Sequence, residues 1–157
     1  MKNSIVNAVV TSIGVFVIAA VAGSLFLAGA LTSSNVPSFG PASAIWDQFL
    51  FTPILFALTG TVFGWIAASN ATLKTTLAPA FLTSAAVTLI MNVGTHQLLL
   101  KLKEPLMQQG VNIPVSDITG KELGMTVAAG VLWIAWFVAG ATIAHGARQK
   151  RSTKHAA

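Results

Sequence analysis

Polar residues divide this chain into four apolar stretches, about Ile5–Leu31, Trp46–Ala68, Ala78–Leu100 and Leu123–Ala147. Each is long enough to cross a bilayer core of about 30 Å, which takes about 20 apolar residues in a helix. None carries a charge in its central third. The pattern predicts four membrane helices separated by short polar connections.

The four stretches are not independent. Shifted by 72 positions, residues 2–27 fall on residues 74–99 without a gap, with eight identities in 26 positions. Lys2 meets Lys74, Ala8 meets Ala80, and Thr11-Ser12 meets Thr83-Ser84. Downstream the two parts align less well, and only with a small further shift does Asn35-Val36-Pro37 lie over Asn112-Ile113-Pro114, and Gly60 over Gly140. Internal similarity of this kind is sought before any other assignment, because it fixes architecture. It predicts a four-helix transmembrane bundle built from two tandem helical hairpins. Repeat 1 covers about residues 1–70 and repeat 2 about 71–147, in a single membrane domain. A basic tail, residues 148–157, follows.

Local chemistry marks several boundaries. Thr119-Gly120-Lys121-Glu122 reads as a capping box opening the fourth helix, and Asp47 plays a similar part for the second. Pro53 is expected to kink or loosen the second helix, because it removes a backbone bond to the preceding turn. Trp46 and Trp65 stand 19 residues apart, about 28 Å along a helix. That places one indole at each membrane interface. The first stretch is read as a crossing helix rather than a cleaved signal. Its run of about 27 residues exceeds the 7–15 of a signal core, and the repeat pairs it with an internal segment.

Composition agrees with a lipid environment. The chain is 54% hydrophobic and 8% charged, where a soluble domain carries about 25% charged residues. Cys is absent, which excludes disulfides and thiolate chemistry. The net charge is +5, with Arg148, Lys150, Arg151 and Lys154 clustered at the C-terminus. After a membrane helix such a cluster is an orientation signal, not a nucleic-acid site. Lys2, Lys74 and this cluster share one side if there are four crossings. Both termini are therefore expected in the cytoplasm, with the chain in the inner (plasma) membrane. The hairpins then relate by an axis along the membrane normal. The Asn70-Ala71-Thr72 sequon falls on a cytoplasmic turn and should carry no glycan.

Candidate functional positions are few. Gly60 and Gly64 in the second helix, Gly140 and Ala144 in the fourth, and Ala20 and Ser24 in the first form small-residue faces. In lipid such faces let backbones approach closely. They serve either packing within one chain or contact with a second copy or a partner. Ser84, Thr88, Asn92 and His96 recur every four residues on one face of the third helix. A mid-membrane amide must face protein or water, so this stripe either ties helices together or lines a polar crevice. Trp46, Trp65 and His145 are read as interface anchors.

Catalysis is not expected. The four acids, Asp47, Glu104, Asp117 and Glu122, all lie at the outer boundary. No acid–base pair, metal-ligand spacing, nucleophile motif or phosphate-binding glycine loop is visible. A haem held within the chain by His96 and His145 is excluded by about 25 Å of helix rise between them. Neither metal nor cofactor is expected.

Two tandem hairpins in about this length resemble the plan of the rotary-ATPase proteolipid subunits. The resemblance covers architecture, not motif. It implies a mid-membrane carboxylate, and here those places hold Leu55-Phe56-Ala57-Leu58 and Trp133-Ile134-Ala135-Trp136. A rotor role is therefore set aside. The leading expectation is a non-catalytic membrane protein acting through helix–helix contacts, as an oligomer or accessory subunit. The alternative is a bundle for solute or ion permeation, or for binding a small ligand such as a lipid or quinone, through the third-helix stripe.

Overall fold

The computed structural model describes residues 2–32, 47–108 and 120–155. All of this is helical or turn, in four helices: α1 (Lys2–Thr32), α2 (Thr52–Ala67), α3 (Leu73–Gln108) and α4 (Gly120–His155). Three stretches are long and apolar enough to cross a membrane: Phe49–Ala67, Leu73–Gly94 and Gly124–Lys154. In α1 the described apolar stretch, Asn3–Ala19, is shorter. Trp46 and Thr119, and the Asn-Val/Ile-Pro pairs, lie outside the described residues.

The helix bounds differ from the apolar runs for identifiable reasons. Pro53 does not kink α2 midway. It stands in the first turn of the α-helix, and residues Asp47–Phe51 before it form one turn of π-helix. Proline lacks an N–H and its ring crowds the carbonyl four residues back, and a wider turn relieves both constraints. Phe51 keeps right-handed helical angles, φ −68° and ψ −51°, so the chain continues in one direction. At the other end, α3 starts at Leu73, five residues ahead of the apolar run and directly after Thr72. Thr72 Oγ1 accepts from the Thr75 N–H at 3.4 Å and its carbonyl from the Thr76 N–H at 3.1 Å, an N-cap arrangement. Helices α3 and α4 each run 36 residues. At 1.5 Å per residue that is about 54 Å, well beyond the hydrocarbon core. Residues 101–108, expected in a loop, continue α3, and the basic tail continues α4 to His155.

The closest packing is between α2 and α4. A Cβ added at Gly64 would lie 2.7 Å from the Ala141 Cα, and one at Gly60 would lie 2.9 Å from the Phe137 Cα. From the other side, one at Gly140 would meet the Ala57 carbonyl and lie 3.1 Å from the Thr61 backbone N. The pairs advance together along both helices, so α2 and α4 run parallel. They also reciprocate: Gly60 sits on the carbonyl of Phe137, three residues before Gly140, and Gly140 on that of Ala57, three before Gly60.

Around this crossing lies an aromatic core. Phe56 is wholly buried. It meets Phe16 edge-on at 5.2 Å, Trp133 at 5.6 Å and Phe137 at 6.5 Å between ring centroids. Phe63 lies 5.7 Å from Phe137. Helix α1 packs antiparallel on α2, with Ser4 at Ile66 and Phe16 at Phe56. Helix α3 packs antiparallel on α4, with Thr88 at Gly130. Helices α1 and α3 therefore run parallel to each other, and they touch only sparsely.

Candidate functional site

Small and hydroxyl residues repeated every four positions determine which faces of α1 and α3 turn inward. Ser4, Ala8 and Ser12 are buried on α1, and Thr76, Ala80, Ser84 and Thr88 on α3. Their hydroxyls are mostly returned to their own helices. Ser12 Oγ donates to the Ala8 carbonyl at 2.7 Å, Thr76 Oγ1 to Thr72 at 2.8 Å and Ser84 Oγ to Phe81 at 2.9 Å. These three inward hydroxyls thus satisfy their hydrogen bonds without a ligand.

Of the third-helix stripe, Thr88 and Asn92 turn toward α4. A Cβ added at Gly130 would lie 3.2 Å from Thr88 Cγ2 and 4.0 Å from Asn92 Nδ2. Asn92 Nδ2 donates to the Thr88 carbonyl at 3.0 Å. The Thr88 hydroxyl is buried and has no hydrogen-bond partner. A buried unpaired hydroxyl costs about 1–3 kcal/mol, and an apolar isostere avoids that cost. Thr88→Val should therefore leave stability unchanged or raise it by about 1 kcal/mol, read as an unfolding midpoint in mild detergent. A loss of more than that would mean the hydroxyl has a partner essential to the fold. The side chains of His96, Ala20 and Ser24 lie outside the described residues.

At the opposite end of the stripe, three parts of the chain converge. Ser4 Oγ donates to the Ile66 carbonyl at 2.9 Å and lies 2.8 Å from Ser69 Oγ. His145, expected as an interface anchor, lies at this end against the α2–α3 turn. It is wholly buried, with Nε2 2.9 Å from the Ala71 carbonyl. A carbonyl only accepts, so Nε2 carries the proton, and the buried Nδ1 has no partner. Trp65 is half-exposed beside it, with the guanidinium groups of Arg148 and Arg151 at 5.5 and 5.6 Å from its ring. Arg148 also donates to the Trp65 carbonyl. The start of α1, the α2–α3 turn and the end of α4 are thus joined at one end of the molecule.

A concave feature of the outer surface lies elsewhere. An open groove of about 390 Å³ runs between α1 and α3. Helix α1 contributes Val9, Ile13 and Phe16, and α3 contributes Leu82, Ala86 and Ile90, with Thr83 the one hydroxyl on its walls. Ser84, Thr88 and Asn92 do not line it. Its size lies within the range of small-ligand sites, about 300–1,000 Å³. Its walls offer dispersion contacts and almost no hydrogen bonds, so it selects for an apolar chain. Sequence reasoning did not find this groove. The available signal was outward bulk: Ile13 and Val17 on α1 face Leu82, Ala86 and Ile90 where the inward ladder is absent. Comparison with protein-family models, with curated proteins and with solved structures gives no match.

Proposed function

We propose that this is a non-catalytic inner-membrane protein of four crossings, two tandem hairpins with both termini cytoplasmic. Its working feature is the groove between α1 and α3, which holds a lipid hydrocarbon chain. The architecture draws support from matched exposures at the 72-residue offset. Val10 and Leu82 are 64% and 66% exposed, Ile18 and Ile90 are 70% and 69%, and Val21 and Val93 are 53% and 52%. The reciprocal glycine crossing of α2 and α4 is what a pseudo-two-fold axis along the membrane normal requires. Basic residues gathered at the end that carries Ser4, Ser69 and Arg148 support a cytoplasmic assignment for that end.

The observation that carries the functional reading is the groove's lining. Helix–helix association in lipid depends on small residues that admit a second backbone. Gly60, Gly64 and Gly140 are already occupied in the α2–α4 crossing, and the groove offers branched and aromatic side chains and a methionine, with one alanine. A flexible hydrocarbon chain fits such walls better than a helix. Filling the groove tests this. Ala86→Trp should abolish a lipid adduct retained one per chain in native mass spectra from mild detergent. Ile143→Trp, on the exposed face of α4, should keep it. Equal lipid retention by both variants would remove the groove from the account.

A second reading, association with a partner helix, is favoured by Gly14, Gly94 and Gly124. Each has open space where a Cβ would stand. These positions leave room for an oligomer or an accessory-subunit contact outside the groove.

A further inference from the structure

From the walls of the groove and the charge at its cytoplasmic mouth, we infer that the bound lipid is anionic and comes from the cytoplasmic leaflet, with its phosphate at the level of Lys2 and Lys74. The inference rests on the groove reading above and adds the head group to it.

The placement follows from helical register. Seven residues make nearly two turns and eleven make about three, so residues so spaced share a face. Lys2 stands seven before Val9 and eleven before Ile13, both in the groove wall. On α3, Thr72 stands eleven before Thr83, and Thr75 eleven before Ala86, again both in the wall. The two stripes that line the groove therefore lead, at the same end, to a lysine position and to two exposed threonines. The threonine hydroxyls are 3.1 Å apart. Thr75 Oγ1 donates to the Thr72 carbonyl at 3.0 Å, so the Thr72 hydroxyl donates to Thr75 Oγ1 within the pair, and the charged donors at this mouth are the lysines. Lys74 is exposed between them.

Depth fits one leaflet. From Leu82 to Met91 the wall rises about 14 Å, half of a hydrocarbon core of about 30 Å. Lys2 and Thr75 lie about 10 Å nearer the end of their helices, at the level of a glycerol and phosphate. Charge points the same way. Lys2, Lys74 and the Arg148–Lys154 cluster belong to this end, while all four acids of the sequence belong to the opposite ends of their helices or to the connection between α3 and α4. Basic residues beside a leaflet attract anionic head groups. A zwitterionic lipid supplies the same chain but no net charge for the two lysines to neutralise.

The test uses the full-length protein in nanodiscs that contain phosphatidylglycerol and phosphatidylcholine of identical acyl chains. The protein is then released into mild detergent for native mass spectrometry. The expected result is retention of the anionic lipid at least about fivefold over the zwitterionic one. Lys2→Gln combined with Lys74→Gln should bring that ratio close to one while a lipid is still retained. Lys74 is exposed, and an unchanged unfolding midpoint checks that the double variant is folded. Equal retention of both lipids by the unaltered protein would overturn the head-group assignment and leave the groove reading intact. So would an anionic preference that survives the double substitution. If no lipid is retained and Ala86→Trp instead disperses a dimer, the occupant is a second copy, and both readings fall together.

Discussion

Gly64→Leu should leave little folded protein, and even Gly64→Ala should lower stability by more than about 3 kcal/mol. Overpacking a core typically costs about 1–3 kcal/mol, because neighbouring side chains can shift to make room. Here the atoms in the way are backbone. The added Cβ would stand 2.7 Å from both the Ala141 carbonyl carbon and its Cα, and no rotamer change moves them. Relief requires α2 and α4 to separate over the crossing that Gly60 and Gly140 also share. Gly14→Ala and Gly94→Ala provide the contrast, since nothing lies within 4 Å of either new Cβ. These two should be neutral or stabilising, by up to the roughly 1 kcal/mol by which alanine exceeds glycine in a helix. Unfolding midpoints in one detergent measure all three. A Gly64→Ala midpoint level with that of Gly94→Ala would mean that the two helices do not cross here.

Phe56→Ala should cost about 2–3 kcal/mol. In a soluble core a Phe-to-Ala change costs about 3–5 kcal/mol, as the sum of a transfer term and a cavity term. Lipid is as apolar as a phenyl ring, so the transfer term largely vanishes. What remains is lost contact with Phe16, Trp133 and Phe137, in a site that helices held by glycine contacts cannot easily collapse. Leu58→Ala, two residues along on the exposed face of α2, should change the midpoint by less than about 0.5 kcal/mol. Equal effects at positions 56 and 58 would remove the aromatic core from the account.

The helices were legible because their signals are local. Apolar length, a proline and a hydroxyl cap each act within a turn or two. The small-residue positions were legible as a type of surface, but not what they would meet. A four-residue spacing in α2 and another in α4 are compatible with contact inside the chain or between chains, and only the three-dimensional crossing pairs Gly60 with Phe137. The burial of His145 is illegible in the sequence for a related reason. Histidine near a helix end suits an interface anchor, and nothing in the sequence indicates that the α2–α3 turn brings the Ala71 carbonyl over it. The polar stripe of α3 was read from Ser84 upward. Its continuation down to Thr76, matched by Ser4 to Ser12 on α1, is the part that organises the inward faces. The groove was invisible for a physical reason. Outward aliphatic side chains look the same in sequence whether they face bulk lipid or one another across a gap.

All of these inferences depend on α1, the α2–α3 turn and the end of α4 meeting on one side of the membrane. The absence of Cys allows that to be measured with single substitutions at Asn3, Asn70 and Ser152, each exposed. In intact cells an impermeant thiol reagent should label none of the three, and in inverted membrane vesicles it should label all of them. Labelling of one from outside while the other two stay protected would contradict the four-crossing arrangement.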